Sequence, residues 1–200
     1  YNVYIINQID QLKDCPTFLI DQYQWEKNNR PQAFGQMALL ENYGLIISMT
    51  AMERNPLRRY TRDNDPVYKD SALEAFLNFA PDDFDKGYLN FEMNANGALL
   101  SQFGVKGNRE SVNTLTSYCT SCDAYMEEDS WNVLLKIPME LICDLYSIKP
   151  LRKDDIFTCN FYKISEDASI EHYASYAPID NPIPDFHLPQ FFAKAIIVSN

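Results

Sequence analysis

The feature that most constrains this 200-residue chain is a period of two in its apolar residues, repeated in short runs separated by turn residues. Residues 88–94 alternate apolar and polar side chains, and the turn Asn96-Gly97 follows them. Such alternation puts the apolar side chains on one face of a β-strand. Apolar residues spaced as in an amphipathic helix are scarce. The chain is therefore predicted to be mostly β-strand.

The remaining strands follow from the same pattern. The predicted strands are 33–40, 44–52, 71–79, 88–94, 98–103, 112–118, 131–137, 157–164 and 191–198. Only 138–146 is predicted as a helix, with Pro138 in its first turn and Glu140 favourably placed near its N-terminus. Many short strands without alternating helices predict an all-β fold, an antiparallel β-sandwich of two packed sheets, jelly-roll-like. No linker or repeat divides residues 1–200, so one domain is predicted.

Charge and hydropathy exclude two classes of function. The chain has 17 Lys and Arg against 28 Asp and Glu, a net charge of −11. Nucleic-acid binding rests on basic groups that neutralise phosphates, so a nucleic-acid partner is not expected. No apolar run approaches the ~20 residues that cross a bilayer, so a membrane-spanning segment is not expected either. The sequence does not indicate an oligomeric state.

The cysteines bear on the compartment. Their odd number, five, fits reduced thiols better than a disulfide framework and favours a cytoplasmic setting. The chain begins at Tyr1 rather than Met, which leaves open that a secretion signal was removed. Cys119 and Cys122 form a CxxC pair, but with no second CxxC and only two histidines a metal or redox site is not predicted.

Two long irregular stretches, 54–70 and 165–189, are predicted to carry function, because such segments of sandwich folds usually do. The first ends in DPVYKDS, which runs on into ALEAF over residues 65–76. Further motifs follow in order at 88–97, 131–138, 160–163, 185–187, 189 and 191–192. Together these segments resemble carbohydrate-binding family 9-like proteins over residues 30–198.

The resemblance implies a β-sandwich related to carbohydrate-binding module family 9, a non-catalytic sugar-binding fold that also occurs in some haem-carrying domains. In the family's xylanase-linked modules, two Trp side chains sandwich a sugar, supported by a Glu, two Arg and amide side chains, often with structural calcium. Here the Trp positions fall at Val67, beside Tyr68, and at Phe186. The Glu is retained as Glu74, but Glu92 occupies one Arg position and the other is not preserved. The sugar preference of those modules is therefore not carried over.

The candidate ligand-binding residues are aromatic platforms and polar groups. Sugar rings present C–H faces to aromatic rings, and the candidate platforms are Tyr68, Phe186 and Tyr176, the last standing where the family's HYGSW segment has Trp. Sugar hydroxyls need donors and acceptors, and the candidate polar contacts are Glu74, Glu92, Asn94, Asn96, Arg109 and His187. The predicted function is non-catalytic binding of a mono- or oligosaccharide, in the context of carbohydrate catabolism.

Several of these side chains have a purely structural alternative. Phe186 and Tyr176 are also suited to packing in the core or under a loop. Glu74 interrupts an apolar strand, so it needs either a wet cleft or an ion pair with Lys69 or Arg109. Trp25 and Trp131 are interpreted as packing residues.

Other functions stay open at this point. Glu74 and Glu92 on neighbouring strands match the carboxyl pair of a glycoside hydrolase, although no GxSxG motif or Gly-rich phosphate loop is present. Haem binding would need axial ligands, for which His172 and His187 are available. A structural or protein-interaction sandwich that has lost its ligand is the third alternative.

No cofactor is predicted, with calcium left open. The acidic clusters at 63–65 and 82–85 have residue types that bind calcium but lack the regular spacing of a known calcium loop. Solvated acidic turns are the preferred interpretation of both clusters.

Overall fold

The structure is a computed structural model that describes residues 1–25 and 27–199. The strands are β1 (Asn2–Ile6), β2 (Thr17–Ile20), β3 (Ala33–Leu40), β4 (Gly44–Ala51), β5 (Ala72–Asn78), β6 (Tyr88–Asn94), β7 (Leu99–Val105), β8 (Asn108–Ser111), β9 (Ser121–Met126), β10 (Trp131–Pro138), β11 (Ile156–Ser165), β12 (His172–Ser175) and β13 (Ala193–Ser199). The α-helices are α1 (Val112–Leu115) and α2 (Met139–Tyr146), and short 3₁₀ turns span Ile9–Asp14, Val67–Lys69, Phe84–Lys86 and Pro189–Phe191. None of the helices in the described residues is long and apolar enough to cross a membrane.

All the strands join one hydrogen-bonded sheet of mixed direction. The path runs β8-β7-β6-β5-β11-β13-β1-β3-β4-β10-β9, with β12 paired to β11 and β2 to β3. Strand β1 lies parallel to both of its neighbours, β13 and β3. The other strand pairs are antiparallel. The sheet is curled, and its two halves enclose the main apolar core.

The main core draws side chains from both halves of the sheet. The half formed by β3, β4 and β10 contributes Met37, Ile47 and Val133, and the half formed by β5, β6 and β11 contributes Ala75, Phe91 and Phe161. Phe18 of β2 stacks on Phe161 with ring centroids 3.8 Å apart. Helix α2 covers one end of this core, where the Tyr146 hydroxyl lies 3.2 Å from the carbonyl oxygens of Leu77 and Gly87. These contacts pack the β5, β6 and β11 half against β2 and α2.

The prediction of a mostly β chain is confirmed, and the predicted helix is present as α2. The predicted strand at 112–118 is wrong, because Val112 and Leu115 lie three residues apart and the Thr114 hydroxyl donates to the Ser111 carbonyl (2.7 Å), which favours a helical turn. The predicted strand at 191–198 begins only at Ala193, since Pro189 starts a 3₁₀ turn.

The sequence pattern missed β1, β2, β8, β9 and β12. These strands are four to six residues long, and β8 and β9 have almost no buried side chains, so they carry little periodicity. Hydrogen bonds join all the described strands into one curled sheet. The prediction of two packed sheets in a jelly-roll-like sandwich is therefore not confirmed and stays a prediction.

Candidate functional site

A cavity of about 590 Å³ opens where the polar face of the β5–β8 half meets the two irregular stretches, 54–70 and 165–189. Its lining residues are Asn64, Pro66, Tyr68, Glu74, Glu92, Leu100, Gln102, Arg109, Ile164, Glu166, Tyr173, Pro184, Asp185, Phe186 and His187. Both stretches that the sequence predicted to carry function therefore border this cavity.

The floor of the cavity is a row of residues that lie side by side on neighbouring strands. The backbone register pairs Glu74 with Glu92 and Glu92 with Leu100, and all three residues line the cavity. Directly opposed residues have Cβ atoms about 4.5–5.5 Å apart and point to the same face of the sheet. The carboxyl groups of Glu74 and Glu92 are therefore neighbours on the cavity floor.

Both of these carboxyl groups are withdrawn from water, with Glu74 2% and Glu92 4% exposed. Burial, and next the proximity of Glu92, raises the pKa of Glu74 well above its ordinary value. Burial raises the pKa of Glu92 to about 7, although Arg109 and the Asn90 amide lower it in part. The pair therefore retains a proton near neutral pH.

The hydrogen bonding of Glu92 is incomplete. Asn90 Nδ2 donates to Glu92 Oε1 over 3.0 Å, whereas Glu92 Oε2 has no hydrogen-bond partner among the described residues. A buried acceptor without a donor is costly, and ligands often supply the missing partner at such positions. The floor of the cavity can thus accept a further hydrogen bond.

Arg109 reaches the cavity from β8, at the edge of the sheet. Its Nη1 donates to the Tyr88 hydroxyl (3.1 Å) and to Nδ1 of His187. The Tyr88 hydroxyl also lies 2.8 Å from this nitrogen. Burial, and next Arg109, lowers the pKa of His187 to about 3, so the imidazole is neutral and its Nδ1 accepts. Tyr88 and His187 thus hold the guanidinium in place beside the cavity.

Three aromatic rings line the cavity, and they differ in exposure. Tyr68 and Tyr173 are half-buried, which leaves part of each ring open to a ligand. Phe186 is 5% exposed and stacks on Tyr162 with ring centroids 4.1 Å apart, while Trp25 packs beside it at 5.9 Å. Tyr68 and Tyr173 are therefore better placed than Phe186 to act as platforms.

The structure brings six of the nine predicted ligand-binding residues to this cavity. They are Tyr68, Glu74, Glu92, Arg109, Phe186 and His187. Neither of the ion pairs considered for Glu74, with Lys69 or with Arg109, is among the salt bridges of the described residues. Trp25 and Trp131 are both buried, as the packing interpretation expects.

The other three predicted residues, Asn94, Asn96 and Tyr176, lie away from the cavity. Asn94 is fully buried, and its Nδ2 donates to Asp70 Oδ2 (2.9 Å), which anchors the 54–70 stretch. Asn96 lies in the turn after β6 and donates to the carbonyls of Arg58 and Tyr60. Tyr176 packs against Phe18 and Phe161 at the edge of the main core. All three side chains are used for internal contacts.

Four further side chains of chemical interest line the cavity but were not among the predicted ligand-binding residues, although the segment from Tyr173 to His187 was expected to border the site. They are Gln102, Glu166, Tyr173 and Asp185. Gln102 could have been found by continuing the period of two across the Asn96-Gly97 turn, since it pairs with Asn90 in register. The other three belong to the 165–189 stretch, whose path is fixed by tertiary contacts such as the Glu166 N–H bond to the Tyr68 carbonyl (3.1 Å).

His172, Asp63 and Asp65, which were considered for haem or metal binding, have other partners. His172 uses both ring nitrogens, Nδ1 toward the Ile170 carbonyl (2.6 Å) and Nε2 toward Lys163 Nζ (2.8 Å). Asp63 and Asp65 accept hydrogen bonds from the backbone N–H groups of Leu99 and Arg62. Among residues 1–25 and 27–199, no group of three or more His, Cys, Asp or Glu side chains is arranged to hold a metal ion.

Comparison with known proteins gives the chain its family. The sequence model of carbohydrate-binding family 9 matches residues 6–197. No match was found among curated proteins. The fold and the cavity define a β-rich domain with a cavity beside the polar face of β5 and β6. The chain belongs to carbohydrate-binding family 9, as the resemblance predicted, because the family model covers nearly its whole length.

Solved structures show the same fold at low sequence identity. A candidate carbohydrate-binding protein from Bacteroides uniformis ATCC 8492 is 20% identical, with 98% of each chain covered and a TM-score of 0.79. A carbohydrate binding module family 9 from Caldicellulosiruptor kristjanssonii in complex with glucose is 14% identical, covers 100% of this chain and 96% of that chain, and has a TM-score of 0.71. Its complex with cellotriose gives 14% identity, 100% and 95% coverage, and a TM-score of 0.69.

Proposed function

We propose that the cavity binds a mono- or oligosaccharide without chemical conversion, and that the domain serves carbohydrate catabolism in this way. The observation that carries the proposal is the buried Glu74–Glu92 pair on the cavity floor, with an open acceptor at Glu92 Oε2. Membership of carbohydrate-binding family 9 supports it, as do the sugar complexes of the Caldicellulosiruptor kristjanssonii module. In this proposal the curled sheet serves as the two layers of a β-sandwich.

Each part of the cavity matches one part of a sugar. The carboxyl groups of Glu74 and Glu92 accept hydrogen bonds from hydroxyls, and in their protonated form they also donate. Arg109, held by Tyr88 and His187, has further N–H groups that donate to hydroxyl oxygens. Tyr68 and Tyr173 offer ring surface to the C–H faces of the sugar.

The geometry favours binding over hydrolysis. A glycosidase needs two carboxyl groups on either side of the scissile bond, one protonated and one ionised. Glu74 and Glu92 instead lie side by side on one sheet face, and burial raises the pKa of both. Domains of this family are non-catalytic binding modules. Binding is therefore the function that the pair supports best.

Calorimetric titration with a panel of mono- and oligosaccharides, with and without calcium, tests the proposal. Saturable heat is expected from at least one sugar, and Glu74→Ala is expected to weaken that binding by about ten-fold or more, the value of one good hydrogen-bonding group. The matched control is Glu41→Ala, an exposed turn residue between β3 and β4. A folded protein that gives no heat with any sugar would favour the interaction-protein alternative instead.

A further inference from the structure

We propose that the cavity prefers sugars that carry a free, protonated amino group over their neutral counterparts, because the three glutamates that line it, Glu74, Glu92 and Glu166, have no ion-pair partner among the described residues. This inference rests on the proposed function and specifies its ligand class.

The first observation is the balance of charges around the cavity. The charged lining side chains are Glu74, Glu92, Glu166, Asp185 and Arg109. Asp185 has an ion pair with Lys106, whereas none of the three glutamates has one in residues 1–25 and 27–199. His187 adds no charge because its imidazole is neutral. The cavity thus has three acidic groups without an ion-pair partner and one cation.

The second observation is the state of the buried acceptors. Glu92 lines the cavity and only 4% of its surface is exposed. Its Oε2 atom has no hydrogen-bond partner among the described residues. Glu74 is equally buried and has no side-chain hydrogen bond in the same part of the chain. Buried carboxylates are normally paired or bound to a cation. Glu92 Oε2 therefore has an unmet need that a bound ligand can fill, and Glu74 lies directly beside Glu92 on the neighbouring strand.

An ammonium group meets this need better than a hydroxyl. It carries three N–H donors and a positive charge, whereas a hydroxyl has one O–H donor and no charge. Charge-assisted hydrogen bonds are shorter and stronger than neutral ones, and more so in a site withdrawn from water. Tyr68 and Tyr173 line the same cavity, and their ring faces also attract cations.

Arg109 offsets part of this acidity, since its charge lowers the pKa of both Glu74 and Glu92, but it forms no ion pair with either of them among the described residues. Its register partner Gly104 pairs with Tyr88, which is four residues from Glu92 along β6. Arg109 Nη1 is also bound to the Tyr88 hydroxyl and to His187. The three glutamates of the lining therefore outnumber the one guanidinium that faces them.

Binding of an ammonium group also has a proton balance. Near neutral pH the Glu74–Glu92 pair retains a proton, which the incoming cation displaces to solvent as the pair becomes more ionised. A neutral sugar displaces no such proton. Titrations in two buffers of different ionisation enthalpy distinguish these cases without any mutation.

The test is calorimetric titration at pH 7 with glucosamine and galactosamine, each beside its parent hexose and its N-acetyl derivative. At least one amino sugar is expected to bind about ten-fold or more tightly than both of its neutral counterparts, with proton release. Glu92→Gln, which keeps size and removes charge, is expected to reduce the preference below about three-fold, and Glu41→Gln is expected to leave it unchanged.

The outcomes separate this inference from the function on which it rests. If a neutral sugar from the full panel binds and neither amino sugar binds more tightly, the amino-sugar preference is overturned and sugar binding stands. If the preference survives both Glu92→Gln and Glu74→Gln, the acidic pair is not its source and the inference is also overturned. If no sugar binds at all, the proposed function itself is overturned. The N-acetyl comparison needs no variant, so the test stands even if a variant fails to fold.

Discussion

Glu74 and Glu92 lie directly opposite each other on β5 and β6, and only 2% and 4% of their respective surfaces are exposed. Two carboxyl groups in this position repel each other when both are ionised, and burial penalises each charge. Such a pair destabilises the ligand-free protein. For the same reason it favours the binding of a ligand that brings a hydrogen-bond donor or a cation to the pair. It is the feature of the cavity that ties stability to ligand binding.

The pair makes stability depend on pH. Burial gives Glu92 a pKa of about 7 in the folded protein, so the folded state keeps a proton that the unfolded chain releases near its ordinary value of 4.5. The free energy of unfolding is therefore expected to fall as pH rises from about 4.5 to 7, by an amount of the order of 3 kcal/mol for this group. Urea denaturation at a series of pH values measures it.

Glu92→Gln removes the titrating group and is expected to flatten this part of the pH profile. The variant should gain stability relative to the natural protein as pH rises, since it carries no charge to bury. Glu41→Gln, an exposed carboxyl in a turn, is the control and should follow the natural profile. Parallel profiles for all three proteins would contradict the raised pKa of Glu92.

Tyr68 is expected to contribute to binding more than to stability. Its ring is half-buried and lines the cavity, so Tyr68→Ala should weaken sugar binding by about five- to ten-fold, the typical value of an aromatic contact. Calorimetry measures the affinity. Tyr125→Ala is the matched control, because this tyrosine lies on β9 with 56% of its surface exposed and is outside the cavity lining. Equal affinities for both variants would remove Tyr68 from the site.

Phe186 is expected to show the opposite pattern. It is 5% exposed and stacked on Tyr162, so Phe186→Ala should lower the free energy of unfolding by about 3–5 kcal/mol, as for other buried phenylalanines. Thermal unfolding should register a clear fall in Tm, while any sugar affinity that remains is measured at low temperature. Unchanged Tm together with lost binding would make Phe186 an aromatic platform, as the family resemblance first suggested.

Tyr88 is expected to act on the ligand through Arg109. Tyr88→Phe removes the hydroxyl that accepts from Arg109 and contacts His187, while it keeps the ring in the core. Sugar affinity should fall by about three-fold or more because the guanidinium loses one of its partners. Tyr146→Phe removes a buried hydroxyl under α2 and serves as the control for stability. The same affinity in both variants would show that Arg109 needs no positioning by Tyr88.

A second buried network is expected to matter for stability alone. Lys163 is fully buried, and its Nζ lies 3.1 Å from Glu53 Oε2, 2.5 Å from Ser71 Oγ and 2.8 Å from His172 Nε2. Glu53→Gln leaves this ammonium without its carboxylate and should cost about 3 kcal/mol. Glu128→Gln breaks an exposed pair with Arg54 and should cost less than about 1 kcal/mol. Urea denaturation compares the two, and equal costs would contradict the account of the network.

The sequence predicted the parts of this protein that depend on local alternation. The strands that form the cavity floor, β5 and β6, were predicted with nearly their observed bounds, because β6 alternates apolar and polar residues and β5 is an apolar run of strand length. Glu74 was singled out for interrupting an apolar strand, and the structure places it on the cavity floor. By contrast, β9 pairs at the edge of the sheet through its backbone and has few buried side chains, so no pattern marks it.

The sequence was less informative where long-range contacts decide the position of a side chain. Tyr176 was predicted as a platform, but Phe18 of the unpredicted strand β2 draws it to the main core. Asn94 faces the same side of the sheet as Glu92, yet Asp70 from the 54–70 stretch binds it and closes that end of the face. Neither contact has a signal in the local sequence, since the partners are far apart in the chain.

The crystal structure of the protein with the tightest-binding sugar of the panel tests the central claim most directly. The account predicts one sugar in the cavity, with ring hydroxyls or an amino group within hydrogen-bond distance of Glu74 or Glu92 and of Arg109, and a C–H face against Tyr68 or Tyr173. A sugar bound at another surface, with Glu74 and Glu92 unchanged and without contact to it, would contradict the account.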